Sequence, residues 1–424
     1  MKKENILKKS NIVYLMLIFT FSLVFTSVFC FNAFAQAEKV TLKVFEWETT
    51  EQLESMEACF KAFEEQNPDI KLEVETSDYE SFARKSLIAS EAGMMPDCIE
   101  ISSETLLLAK RGHLVDLQPF IDKEPEGFLD SYVAVEEMKD YWTRTYSYLP
   151  LRINVVGFYM VEEYLKEAGF TEPPKTWEEF EEVLKKCTIE GERYGYVASV
   201  LRDEYSQMIA NSFGGVFENP DGTSGLANPE TIAAIEFHLR MLKNYGPEGV
   251  AMFGAKESRD VFMNGDAAIT LEGNWMNNIF KYNMKPGLTW MPFLTPVKDV
   301  PTAHLTGAFY GIGTGTEHPE EAWRFIKFMT GPEADRIMFE LGQTLPKHRV
   351  NLLMPEIQSD PVTKVFADQL LNAERVWFLK TKKTFNTFMQ YHKEYYQKIL
   401  YGEMTAEEAM KALAKKIDEE SAQE

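Results

Sequence analysis

Hydrophobic and polar positions along the first hundred residues change period several times. VTLKVF, Val40–Phe45, predicts a strand. Over Glu51–Gln66 the apolar residues Leu53, Met56, Phe60 and Phe63 recur at helical spacing, and Asn67-Pro68 stops the run. Ile70, Leu72 and Val74 then alternate with polar neighbours, as in a half-buried strand. A helix over about Ser81–Ala92 ends at Gly93, and Pro96 leads into the apolar strand Cys98–Ile101. This strand–helix–strand rhythm predicts an α/β fold with a parallel or mixed sheet and right-handed crossovers.

The rhythm continues. Tyr146–Tyr159 is strand-rich and interrupted by Pro150, and a helix is predicted near Met160–Ala168. Thr176 and Glu179 make a capping box for a helix over Trp177–Lys186. Tyr194–Val200 reads as a strand, and Asn228-Pro229 opens a helix whose apolar face is Ile232, Ile235, Leu239 and Leu242. Strands follow at Ala267–Leu271, Trp290–Leu294 and Phe309–Gly313. Pro319 and Pro332 open two consecutive helices, and the last third is largely helical, with a second capping box at Thr405 and Glu408.

With 424 residues, the chain exceeds one ordinary core and predicts two domains. A net charge of −22 argues against a nucleic-acid partner, because phosphate binding needs clustered Lys and Arg. The start of the chain changes the picture. MKKENILKK is basic, Ile12–Phe31 is almost wholly apolar, and Ala33-Phe34-Ala35 offers small residues at a cleavage site. Residues 1–35 thus read as a secretory signal cleaved after Ala35, with a retained membrane anchor as the alternative. A lipid anchor at Cys30 is less favoured, because Phe29 stands where a small residue is usual. Cys59, Cys98 and Cys187 are odd in number and widely spaced, so they read as buried apolar residues rather than a disulfide framework.

A catalytic constellation is hard to find. The sequence holds no G-x-S-x-G elbow and no H-E-x-x-H helix. Its six histidines are scattered without ligand spacing, so no metal is implied. Gly311, Gly313 and Gly315 lack the spacing and context of a nucleotide loop, and no cofactor is implied. A glycosidase needs two carboxylates across a cleft, and Glu46, Glu48, Glu100 and Glu272 lie near predicted strand ends.

Several stretches, in order, resemble one family. NPDIKLEVE, SLIASEAGMMPDCIEI and GHLVDLQPFI resemble the N-terminal lobe of bacterial extracellular solute-binding proteins, in the branch of maltose-binding and other sugar-binding subunits of ABC importers. YLPLRINVVGFYMVEEYLKEAGFTEPPKTWEEF, FMNGDAAITLEGNW and GIGTGTEHPEEAWRFIKFMTGPEADRIMFELGQTLPKHR resemble that family's interlobe segments. The resemblance runs from about residue 38 to residue 417. It implies a two-lobe, type II periplasmic-binding-protein-like fold with three hinge crossings and a ligand cleft between the lobes. By that pattern residues 36–150 and 271–312 form the N-terminal lobe, and 151–270 and 313–424 the C-terminal lobe. Crossings are expected near Pro150, Ala268–Thr270 and Gly313–Thr316.

The implied function is an extracellular, cell-surface-associated monomer that captures a mono- or oligosaccharide and delivers it to an ABC permease, without catalysis. A binding protein for a non-sugar solute and a secreted carbohydrate-active enzyme are the alternatives. Ligands of open α/β lobes sit at the carboxyl ends of strands, and LEGNW lies at such an end. In the family the tryptophan of G-x-W often faces the cleft. Trp275 is therefore expected to stack on a sugar face, with Glu272 and Asn274 reading the hydroxyl rim. The same logic nominates Trp47 and Glu48 past the first strand, Tyr79, Ser102 and Ser103, with Ser102 open to a plain capping role. Arg152 follows the first crossing, where it either forks onto the ligand or pairs with a structural acid. One of Phe309 and Tyr310 is expected to face the cleft by strand alternation. Trp377 is nominated in the C-terminal lobe.

Overall fold

The computed structural model describes residues 39–47, 53–102, 105–133, 139, 145–342, 344–377 and 384–422. The signal segment and Cys30, and the candidates Glu48 and Ser103, lie outside these residues.

The strands are β1 (Val40–Trp47), β2 (Ile70–Ser77), β3 (Cys98–Ile101), β4 (Leu149–Val161), β5 (Tyr194–Val197), β6 (Ala267–Gly273), β7 (Trp290–Phe293), β8 (Thr302–Ile312) and β9 (Arg375–Trp377). They make one mixed sheet in the order β2-β1-β3-β8-β4-β6-β5, with β7 on β4 and β9 on β8. The principal helices are α1 (Leu53–Gln66), α2 (Tyr79–Glu91), α3 (Trp177–Cys187), α4 (Asp203–Ser212), α5 (Pro229–Tyr245), α6 (Ala255–Met263), α7 (Pro319–Thr330), α8 (Pro332–Gly342), α9 (Pro361–Asn372), α10 (Phe385–Tyr401) and α11 (Ala406–Ser421).

Strand β4 joins the two halves. Its residues Leu149–Val155 pair antiparallel with β8, and Val156–Met160 pair antiparallel with β6. It is buried along nearly its whole length, as its almost unbroken apolar run requires of a strand covered on both faces. Where it changes partners, side chains complete its backbone bonding. The Val155 N–H donates to Asn274 Oδ1 at 2.8 Å, and Gln369 Nε2 of α9 donates to the Val156 carbonyl at 2.9 Å. Buried backbone groups must be paired, so these amides hold the crossing in place.

Three apolar cores follow this division. Leu42, Val44, Met56, Phe63, Phe325 and Met338 belong to the first half. Phe180, Leu184, Ile235, Leu239, Leu413 and Ile417 belong to the second. The third runs across both, from Phe45, Ile99 and Phe309 to Phe262, Phe280 and Phe366.

Strand pairing and helix packing place the remaining elements along β4. Strands β6 and β7 pair with the far half of β4, and β8 pairs with its near half. Helices α7 and α8 pack on α1 and so belong to the first lobe. Phe325 of α7 lies edge-on to Phe63 at 5.3 Å, and Trp323 stacks on Phe120 at 5.6 Å. Periodicity places Ala322, Trp323, Phe325, Ile326 and Met329 on the inner face of α7, where all are buried, but carries no information about what covers that face. The change of partner along β4 falls at Val155–Val156.

The caps differ from one another in detail. Thr405 and Glu408 make the full reciprocal box. Thr176 Oγ1 accepts the Glu179 N–H, but the Glu179 carboxylate turns to the Lys175 N–H instead. Asn228 does not cap α5 with its side chain; its amide donates to Asn219. Cys59, Cys98 and Cys187 are free and buried, and burial pushes the Cys59 thiol up to about 12.

Candidate functional site

The first-lobe side of the site is built on the ends of β1, β3 and β4. Trp47 is the last residue of β1 and is half-buried. Its backbone N–H donates to Glu100 Oε2 at 3.1 Å. Arg152 of β4 forms an ion pair with Glu100, and both are buried. The Arg152 guanidinium also lies over the Trp47 ring, 4.9 Å from its centroid. Beside them the Tyr310 hydroxyl donates to the buried Glu46 carboxylate. Burial first, then the neighbouring Glu46 charge, holds the Tyr310 hydroxyl well above its ordinary pKa, so it remains a donor. Of the two roles open to Arg152, the structure shows the pairing with an acid.

The second-lobe side is LEGNW itself. Both oxygens of the buried Glu272 accept from Arg259 of α6, at 2.9 and 3.0 Å. Asn274 serves the Val155 N–H. Thus both polar residues nominated for a hydroxyl rim hold the fold in this conformation, because a buried carboxylate or amide needs a partner. The Trp275 indole folds back over Gly273, where an added Cβ would come within 1.9 Å of the ring. Only glycine permits that approach. The half-buried indole packs against both the second-lobe core and the bridging core. The Arg202 guanidinium lies 5.5 Å from its centroid.

Strand register sets these two platforms opposite one another. Trp47 lies two residues beyond Phe45, which pairs with Ile99, and this brings it level with Ile101, Phe309 and Pro150. Gly273 is level with Val156. Strands β1 and β6 run in opposite directions, so their carboxyl ends point towards each other along β4. The stretch from Pro150 to Val156 is roughly 20 Å at about 3.3 Å per residue.

The remaining candidates are placed as follows. Ser102 is buried in a tight turn, its N–H donating to Thr105 Oγ1 at 2.8 Å. Alternation puts Phe309 and Tyr310 on opposite faces, but both faces are covered. Phe309 packs on Tyr148 at 4.9 Å and Tyr310 edge-on to Phe325 at 5.4 Å. The expectation that one of them is open to the cleft therefore gives way to core packing. Tyr79 is the first residue of α2, and Trp377 ends β9 opposite His304; the side chains of both lie outside the described residues.

Two arginines were missed. Arg202 sits a few residues past β5 and immediately before α4, so the strand-end rule applied to β5 would have found it. Arg259 lies within a helix, and no local signal links it to Glu272. Among the described residues, the carboxylates open to a glycosidase role are engaged: Glu46 with Tyr310, Glu100 with Arg152 and Glu272 with Arg259, while Glu48 lies outside them.

This geometry agrees with the relationship found by comparison. The family model for bacterial extracellular solute-binding proteins matches residues 46–336. The chain belongs to this family. A relative from Brucella abortus (strain 2308), described only as a binding protein, is 25% identical over 287 residues. That alignment covers 63% of this chain and 66% of the relative. The maltotriose-binding protein of Pyrococcus abyssi is 28% identical over 213 residues, 48% of this chain and 45% of that protein. Among solved structures, the sugar-binding protein MalE of Xanthomonas citri superposes with a TM-score of 0.79 at 21% identity. The superposition covers 91% of this chain and 98% of that one, and establishes the solute-binding-protein fold.

Proposed function

We propose that this solute-binding protein captures a carbohydrate between Trp47 and Trp275 and delivers it, unchanged, to the permease of an ABC importer. The carrying observation is the pair of half-buried indoles at facing strand ends, each with a guanidinium over its ring. A pyranose has a C–H face that stacks on an indole and a hydroxyl rim that takes hydrogen bonds. The names of the Pyrococcus and Xanthomonas relatives point to the same ligand class. The chain works as a secreted monomer, processed after Ala35, whose lobes close on the ligand and present a joint surface to the permease.

A thermal-shift screen of the protein from Gln36 onward tests this against mono-, di- and trisaccharides, polyols and peptides. A ligand at about a hundred times its Kd stabilises the folded state by about 2.7 kcal/mol. A shift with one carbohydrate class and no product on chromatography supports the reading. A shift only with charged solutes moves the assignment to a non-sugar solute. Release of a shorter sugar by the pure protein moves it to a carbohydrate-active enzyme.

A further inference from the structure

Helix α4 is enclosed on every side from Tyr205 to Ser212. Two of its polar side chains have partners on neighbouring helices. Ser206 Oγ lies 3.2 Å from His238 Nδ1 of α5, and Ser212 Oγ accepts the Trp177 indole N–H at 2.9 Å. Gln207 and Asn211 do not fit this pattern. Both are 0% exposed, and none of their four side-chain amide atoms has a hydrogen-bond partner among the described residues. They are one turn apart, so their carboxamides lie on one face of the helix. Folded proteins pair nearly all buried polar atoms, and two adjacent orphaned amides point to a partner outside the chain.

The position of α4 narrows what that partner is. Its apolar residues Tyr205, Met208 and Ile209 belong to the second-lobe core. Yet the helix also packs against β8 and β4, the strands that complete the first-lobe sheet. It starts directly after Arg202, the residue over the Trp275 ring. The amide pair thus lies at the junction of the lobes, about one and a half to two and a half turns along the helix from Arg202. A carboxamide both donates and accepts, as a hydroxyl does.

We infer that Gln207 and Asn211 form a hydroxyl-reading subsite, which takes neighbouring hydroxyls of a polyhydroxylated ligand held between the lobes. This rests on the carbohydrate reading above and extends it to a named pair of side chains. The pair is reached when the lobes part, and closure seals it. It also gives the ligand a polar anchor that Glu272 and Asn274, both engaged elsewhere, do not supply in this conformation.

The test replaces each amide by an apolar side chain of similar size, Gln207→Met and Asn211→Leu. Melting temperature is measured without ligand, and affinity is measured by calorimetry. The probe is the carbohydrate that gives the largest thermal shift with the unmodified chain. The expected result is an unchanged or raised melting temperature and an affinity at least tenfold weaker in each variant. Should either variant fail to fold, Gln207→Ala and Asn211→Ala remove the amide without adding bulk or charge, and the same loss is expected. Affinity within twofold of the unmodified chain in folded variants assigns the amides to buried water and overturns the subsite alone. Failure of the unmodified chain to bind any carbohydrate overturns the functional reading, and the subsite with it.

Discussion

The two tryptophan platforms use the same pair of residue types but are held by different physics. The Trp47 platform is locked by charge: Arg152 is clamped by Glu100, and Tyr310 by Glu46, all out of solvent. The Trp275 platform is locked by shape and by the crossing. Its indole lies on Gly273, and the neighbouring Asn274 bonds the β4 residue at which the strand changes partners. The first is a rigid corner whose geometry depends on compensated charges. The second is tied to the segment that any lobe movement must deform. In the function proposed above, a ligand stacked on Trp275 bears on that segment through Asn274, and one stacked on Trp47 bears on β4 through Arg152.

The largest effect that breaks this contrast is on stability. Arg152→Ala leaves Glu100 buried without its counter-charge, and removing one partner of a buried pair costs about 3–5 kcal/mol. Urea denaturation should show that loss. Replacing both residues by apolar ones of similar size should recover most of it. Arg259→Ala, which unpairs Glu272 from a partly exposed partner, should cost less. Equal losses would mean that the two platforms are anchored alike.

Next in size is binding. Trp275→Ala should weaken carbohydrate affinity by about 1–3 kcal/mol, as loss of a buried aromatic anchor does. Gly273→Ala should reproduce that loss with the tryptophan still present, because its methyl occupies the place of the indole. A shift of tryptophan emission on Gly273→Ala, together with the affinity loss, would confirm displacement of the ring. Unchanged affinity would remove Trp275 from the site.

The pattern of the chain carried the element types well, and for a physical reason. Period and caps are local properties, so VTLKVF, the α7 face and the Thr405 box could all be read directly. What escaped was long-range. The partner of the α7 face, the engagement of Glu272 by Arg259 and of Asn274 by Val155 depend on contacts across many residues. The residues of LEGNW were singled out for ligand contact because an acid, an amide and a tryptophan at a turn are suited to it. The same chemistry suits a hinge, and only the structure shows which bonds it makes.

Each lobe also buries a histidine, and they sharpen the comparison through pH. His238 of α5 lies between Tyr196 and Ser206, and burial pushes its pKa down from 6.5 to about 3. His348, in the first half beside Tyr132, is also lowered, by burial and then by Lys347. Between about pH 6.5 and 3 the unfolded state binds the His238 proton and the folded state does not. Stability is thus full above the unfolded value and falls as pH drops through that window. Melting temperature followed from pH 7 to pH 4 should fall, and His238→Gln should flatten part of the slope. An unaltered slope would mean that His238 does not set the acid sensitivity.

The smallest predicted effect separates the two guanidiniums. Arg152 is paired with Glu100, and the Arg202 guanidinium lies over the ring of Trp275. A cation over an aromatic face at a partly exposed site contributes about 0.5–1 kcal/mol. With a neutral sugar, Arg202→Ala should therefore weaken binding only a few-fold, and nearly equally at low and high salt, because no ligand charge is screened. With an anionic solute the loss should be larger and should shrink as salt rises. Titrating the variant at two salt concentrations thus tests whether this arginine backs a stacking surface or reads a charge, and so which half of the site sets the class of ligand.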